Sequence, residues 1–225
     1  MRRRGNRRDR ERTDADLECC LGENMARTGN PERKTELLDQ ILEFLVDVPL
    51  AQASFRALAD ALGVSTFALV YHFGNREQLD QEILGVVRDR QVLMLGGIKP
   101  GAINSEELVE AGVRAWEESL SRRGLLAGRL SFEAGVTERL RYPAGDGILA
   151  AAHSDWVRAL YEWALAHGAS EEDAESEAEL LVAVLSGLRY RLHLYGADAV
   201  PITLVETAFR RFTELVTHPE PAIAR

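Results

Sequence analysis

A single glycine between two short apolar stripes constrains this chain more than any other feature. In Phe55-Arg56-Ala57-Leu58-Ala59-Asp60-Ala61-Leu62-Gly63-Val64-Ser65-Thr66-Phe67-Ala68-Leu69-Val70, the apolar positions Leu58, Leu62, Val64 and Leu69 fall where two crossed helices would share a small core. Ala59 sits where the two would come closest and is small enough to let their backbones approach. Gly63 is able to take the positive φ that a tight turn between them demands. A plain helical hairpin has the same spacing, so the pattern fixes a geometry before it fixes a role.

The surrounding chain reads as helices with short breaks. Asn30 can cap, Pro31 suits a first helical position, and Leu37, Leu38, Ile41, Leu42 and Leu45 recur at helical spacing until Pro49 interrupts. Ser54 is placed to cap a helix over 55–62 and Ser65 one over 66–73, after which Gly74-Asn75 opens a longer helix running toward Leu95. Further helices are expected near 104–122, 125–138, 147–168, 171–195 and 202–217. Asn104-Ser105-Glu106-Glu107 and Ser170-Glu171-Glu172-Asp173 each put a capping side chain just before acidic residues, which suit the positive end of a helix. No segment reads as a strand, so the expected fold class is all-α.

Bulk properties exclude several classes. With 225 residues, 46% of them hydrophobic, the chain can bury a full core in one or two domains. No run approaches the roughly 18 apolar residues of a membrane span. The start carries Arg2, Arg3, Arg4, Arg7, Arg8, Arg10 and Arg12, but Asp14, Asp16 and Glu18 occupy the place of a signal peptide's apolar segment. Cys19 and Cys20 are adjacent, which is neither a disulfide framework nor a metal-ligand spacing. A reducing cytoplasm is the expected location. Residues 1–29 lack apolar periodicity and are expected to form a disordered basic extension able to touch phosphates. The alternative is that translation starts at Met25, because the folded pattern begins only after Pro31.

The run Gly63-Val64-Ser65, then Leu69, then Tyr71-His72-Phe73-Gly74-Asn75-Arg76-Glu77-Gln78-Leu79, resembles the signature of the tetracycline repressor (TetR) family of transcriptional regulators. The first helix with its Leu and Ile stripe, and the start Ser54-Phe55-Arg56 of the second, are similar to that family as well. The resemblance covers about residues 31–84. It implies a helix-turn-helix DNA-binding domain over 30–76 and a helical ligand-binding and dimerisation domain over 77–225. Three positions depart from the family pattern. Val70 stands where Tyr is usual, Tyr71 where His or Arg is usual, and Arg76 where Lys is usual. One position along a helix is a turn of roughly 100°, which changes the direction in which the phenol points.

On the helix that would enter the major groove, Ser65, Thr66, Phe67, Ala68, Tyr71 and His72 are the candidate contacts, joined by Ser54 and Arg56 from the preceding helix. Thr66 can hydrogen-bond bases or phosphates, and Phe67 and Ala68 suit thymine methyls. With no Arg to read guanine, an operator core rich in A·T pairs is expected. Arg76 is expected to bind phosphate beside the N-terminus of the fourth helix. Phe73 reads as a core residue rather than a DNA contact. Charge is the difficulty: the chain carries a net -9, and between Pro31 and Leu84 four basic residues face nine acidic ones. A DNA binder so poor in cations must rely on hydroxyls, backbone amides and helix ends, giving a shallow salt dependence unless the arginine-rich start takes part.

In the C-terminal half, apolar stripes at Leu181, Leu185, Leu188 and Leu192, and at Val205, Phe209 and Phe212, suit the four-helix homodimer interface that the resemblance implies. Internal core is the other reading of the same stripes. The resemblance also implies a small-molecule effector, for which Trp116, Arg129, Phe132, His153 and Trp156 are candidate lining residues. That list equally describes an ordinary helical core.

No metal spacing, phosphate-cradling glycine loop or nucleophile motif is present, so neither catalysis nor a cofactor is expected. An all-α enzyme is one competing reading, and a helical interaction module that has lost DNA binding is another. Repression by a dimer that a ligand releases from a pseudo-palindromic operator is the function that the resemblance implies.

Overall fold

A computed structural model describes residues 31–95 and 101–218, with the side chains of 31–90 and 101–218. The expected extension over residues 1–29 lies outside them. Nine α-helices are formed among the described residues, and no strand. They are α1 (Pro31–Leu45), α2 (Phe55–Leu62), α3 (Thr66–Phe73), α4 (Arg76–Leu95), α5 (Ser105–Ser119), α6 (Arg122–Arg141), α7 (Ile148–Ala166), α8 (Glu171–Tyr195) and α9 (Ile202–Thr217). Short 3-10 turns at Leu50–Gln52 and Ala197–Ala199 complete the set. No described helix is long and apolar enough to cross a membrane.

The capping residues sit where the sequence puts them. Ser54 accepts from the Ala57 amide at 3.1 Å and Ser65 from the Ala68 amide at 3.1 Å, closing the first turns of α2 and α3. Gly63 ends α2 in the left-handed region, with φ 67°, which only glycine adopts without strain. Asn75 and Gln78 cap α4 reciprocally, each side chain accepting from the other's amide at 2.9 Å.

One boundary differs from expectation. The break between α5 and α6 falls at Leu120-Ser121 rather than at 123–124, and α6 extends to Arg141. Ser121 caps α6 by accepting from Gly124 at 3.2 Å. Gly124 is therefore inside the helix, and its lack of a side chain serves another purpose: a Cβ there would lie 2.3 Å from the Ser119 carbonyl oxygen. The glycine marks a close approach of the two helix ends, not the break itself.

Two buried clusters organise the molecule. In the first, Leu37, Ile41, Leu45, Leu58, Leu69, Phe73, Leu79 and Ile83 join α1 to α4, and Leu126, Leu130 and Ala134 of α6 complete it. The second holds Leu108, Trp116, Leu160, Trp163, Leu181, Val205, Phe209 and Phe212 from α5, α7, α8 and α9. α6 thus belongs to the core beneath the head, and α8 and α9 to the core of the body.

Part of the acidity of α1 and the turn after it faces α6. Arg122 of α6 pairs with Glu43 and reaches Asp47 at 3.8 Å, while Arg123 reaches Asp39 at 3.4 Å. These exposed pairs each contribute little to stability. They do place three of the head's carboxylates on its body side.

Candidate nucleic-acid interface and interior cavities

With Leu69 and Phe73 of α3 buried at 0% and 3%, the opposite face of that helix is left to solvent. At about 100° per residue, Phe67, Val70 and Tyr71 share one face, and they are 76%, 48% and 49% exposed. Three large apolar side chains at i, i+3 and i+4 are unusual on a surface with no partner. Thr66 is exposed at the start of the helix, and Ala68 and His72 flank the face half-buried. The Tyr71 and His72 rings meet edge to face, with centroids 5.1 Å apart. Val70, standing where the resemblance leads one to expect Tyr, lies on this exposed face beside Tyr71.

Cations are scarce on this face. Arg33 is paired with Glu36 at 2.9 Å and Lys34 with Glu82 at 2.5 Å. Arg56, exposed in the first turn of α2, makes no ion pair among the described residues, and it lies near the exposed hydroxyl-bearing caps Ser54 and Ser65 in sequence.

Arg76 departs from the role expected of it. Its guanidinium donates to the Ala53 carbonyl and, at 2.8 Å, to the Leu50 carbonyl, while Nε donates to Asp80 at 2.7 Å. The side chain is engaged inside the protein rather than held free for phosphate. From α6, Arg129 donates to the Leu45 carbonyl and, at 3.2 Å, to that of Val48, while Glu133 accepts from the Leu50 amide at 2.6 Å. Two arginines and a glutamate thus satisfy the backbone of the segment joining α1 to α2. This clamp had no local signal in the sequence, because Arg76 lies 23 and 26 residues from the carbonyls it holds, and Glu133 and Arg129 lie 83 and 84 residues from Leu50 and Leu45.

The candidate ligand residues divide. Phe132, His153 and Trp156 come together around a cavity of about 210 Å³, with Ser131, Leu149, Val182, Leu185, Ser186 and Arg189. Trp116 is buried in the body core and Arg129 belongs to the clamp, so neither lines that cavity. Burial lowers the pKa of Arg189, and burial followed by the charges of Arg189 and Arg129 lowers that of His193. Arg189 was missed, although an arginine in step with Val182 and Leu185 on an apolar stripe is a visible irregularity. A second cavity, of about 620 Å³, runs along the seam between the clamp and the loop after α6, bordered by Leu50, Arg76, Asp80, Glu138, Tyr142 and Ile148.

The stripe read as a dimer face is mostly turned inward. Leu181, Leu192, Val205, Phe209 and Phe212 are between 0% and 4% exposed in the body core, and Leu185 lines the smaller cavity. Half-buried Leu188 lines a groove between α8 and α9 beside Leu180, Val184, Leu204 and Leu215, with Leu181 and Phe212 at its floor. On α8 the outward positions Leu180 and Val184 each precede by one the inward Leu181 and Leu185.

Two short helices crossing at a glycine turn, backed by α1 and carried on a helical body, define a helix-turn-helix protein. The family model for bacterial regulatory proteins of the tetR family matches residues 37–83, from α1 to Ile83 of α4. The head is thus a DNA-binding domain of the tetR type, which supports a DNA-binding transcriptional regulator. No curated protein matches the chain.

Proposed function

We propose that the protein is a homodimeric repressor that holds a pseudo-palindromic operator through α2 and α3 and leaves it when a small molecule occupies the body. The exposed face of Phe67, Val70 and Tyr71 carries this reading, because an apolar surface on the second helix of such a head suits base edges and thymine methyls. Thr66, Ser65, Ser54, Ala68 and His72 add hydrogen bonds and contacts around it. Arg56 is the head's phosphate ligand, and Arg76 acts by positioning α2. The functional division at residues 76 and 77 separates the head that touches DNA from the helices that control it.

Few free cations mean few released counterions. Replacing Arg56 by Gln is expected to lower the slope of log affinity against log salt by about 1 for each head. Polarisation titrations of a labelled duplex taken from upstream of the protein's own gene, at several salt concentrations, read that slope.

A second copy of the chain is the proposed occupant of the groove between α8 and α9. Leu180 and Val184 are 54% and 40% exposed there, and a two-fold pairing of both helices would bury them in a four-helix interface. The Val184→Glu variant is expected to sediment as a monomer and to lose operator affinity, since one head reads only half a site. A dimer that persists with both carboxylates present would place the interface elsewhere.

A further inference from the structure

The smaller cavity carries an inference about the chemistry of the effector, and it rests on the ligand-responsive reading above. Its walls come from three helices: Ser131 and Phe132 on α6, Leu149, His153 and Trp156 on α7, and Val182, Leu185, Ser186 and Arg189 on α8. Five of the nine are apolar or aromatic. None of the lining residues is acidic. Arg189 makes no hydrogen bond or ion pair among the described residues. Its stem is pinned against the backbone of α6, where a Cβ on Gly128 would meet Cδ of Arg189 at 3.3 Å.

Arg189 is half-buried, and a guanidinium that gives up part of its water without gaining a carboxylate carries a cost. The neighbouring groups make this worse. Arg129 and His193 lie close enough for the two arginines to suppress protonation of the imidazole, and Nε2 of His193 is itself buried without a partner. On the lining, His153 rather than Arg189 faces a carboxylate, that of Glu179 at 3.8 Å. An unpaired cation at the end of an apolar cavity is what a protein holds for an incoming anion.

We propose that this cavity binds a small monocarboxylate with an aromatic or compact apolar body, its carboxylate on Arg189 and its body against Phe132, Leu149, Trp156 and Leu185. Size agrees: a cavity of roughly 150 Å³ holds benzene, so 210 Å³ leaves room for one ring and a carboxylate. Ser186, whose hydroxyl has no partner among the described residues, can donate a second hydrogen bond. The route to the head is short. Ser131 and Phe132 on the cavity alternate along α6 with Arg129 and Glu133, which hold the segment between α1 and α2. A ligand that moves α6 relative to α8 therefore acts on the clamp.

Isothermal titration of the full-length protein with benzoate and phenylacetate, against benzamide and phenylacetamide as neutral matches, tests this. At least one carboxylate should bind at least tenfold more tightly than its amide. Arg189→Gln should bring the two within twofold, and Arg189→Lys should keep part of the preference. Because the arginine lacks a partner, Arg189→Leu should melt no lower than the wild type. Equal binding of acid and amide, a preference that survives Arg189→Gln, no binding of either acid into the millimolar range, or unfolding of the Arg189 variants would each overturn the proposal. Operator release is read separately by polarisation. Binding through Arg189 that leaves operator affinity unchanged would sink the regulatory reading and leave the cavity assignment standing.

Discussion

Alanine at both Phe67 and Tyr71 is expected to weaken operator binding by about 100-fold or more while the head stays folded. A side chain on a base edge is worth about 1–3 kcal/mol, and a dimer uses each of these twice, so the losses compound. Neither residue supports the core: the two are 76% and 49% exposed, whereas Leu69 and Phe73 on the opposite face of α3 are buried. Surface changes of this kind shift stability by about 0.5 kcal/mol or less. Polarisation titrations and urea unfolding of the same preparation separate the two effects. A large loss of stability would mean that α3 is held by its outer face, and unchanged affinity would move the contact surface away from α3.

Removing the Arg76 side chain is expected to act through the fold instead. Its guanidinium donates to the carbonyls of Leu50 and Ala53 and pairs with Asp80, so Arg76→Ala removes a partner from all three, leaving the Leu50 carbonyl the Ala53 amide at 3.1 Å and Asp80 the more distant Arg141 at 3.8 Å. Allowing for its partial exposure, the cost is about 1–3 kcal/mol. Lysine would recover little, because a single ammonium cannot replace a planar fork that spans two carbonyls and a carboxylate. Operator affinity should fall as α2 loses its support, with the salt slope unchanged. That pattern differs from Arg56→Gln, where the slope falls and the melting temperature holds. An Arg76→Ala protein that melts like the wild type but has a flatter salt slope would return this residue to the phosphate backbone.

How far the sequence could be read depended on whether the relevant forces were local. Caps and turns are local, so Ser54, Ser65, Gly63 and Asn104 could be placed from the sequence with their neighbours. The break expected between helices near 122 and 125 fell earlier, and Gly124 there permits the close approach of Ser119, a role visible only in three dimensions. The acidity of the head is in part directed at the body. Asp39, Glu43 and Asp47 face Arg122 and Arg123, some 80 residues further on, rather than DNA.

The body was harder for a different reason. An apolar stripe identifies a helix face but not what covers it, so Leu181, Val205 and Phe209 fitted a dimer interface as well as a core. The deciding fact is which side of α8 meets α7, and no residue of α8 reports that by itself. Arg189 was legible as an irregularity in a stripe. Its meaning came only from the absence of a carboxylate around it, which needs three helices to establish.

The central claim is that the α2–α3 head reads a specific duplex as one of a symmetric pair. Selection of binding sites by the full-length protein from a pool of random duplexes tests it most directly. Enrichment of a pseudo-palindrome with A·T-rich half-sites about one helical turn apart, roughly 34–36 Å, is the predicted result. Recovery of unenriched DNA at low salt, with the protein folded and dimeric, would contradict it and leave a helix-turn-helix fold serving another partner.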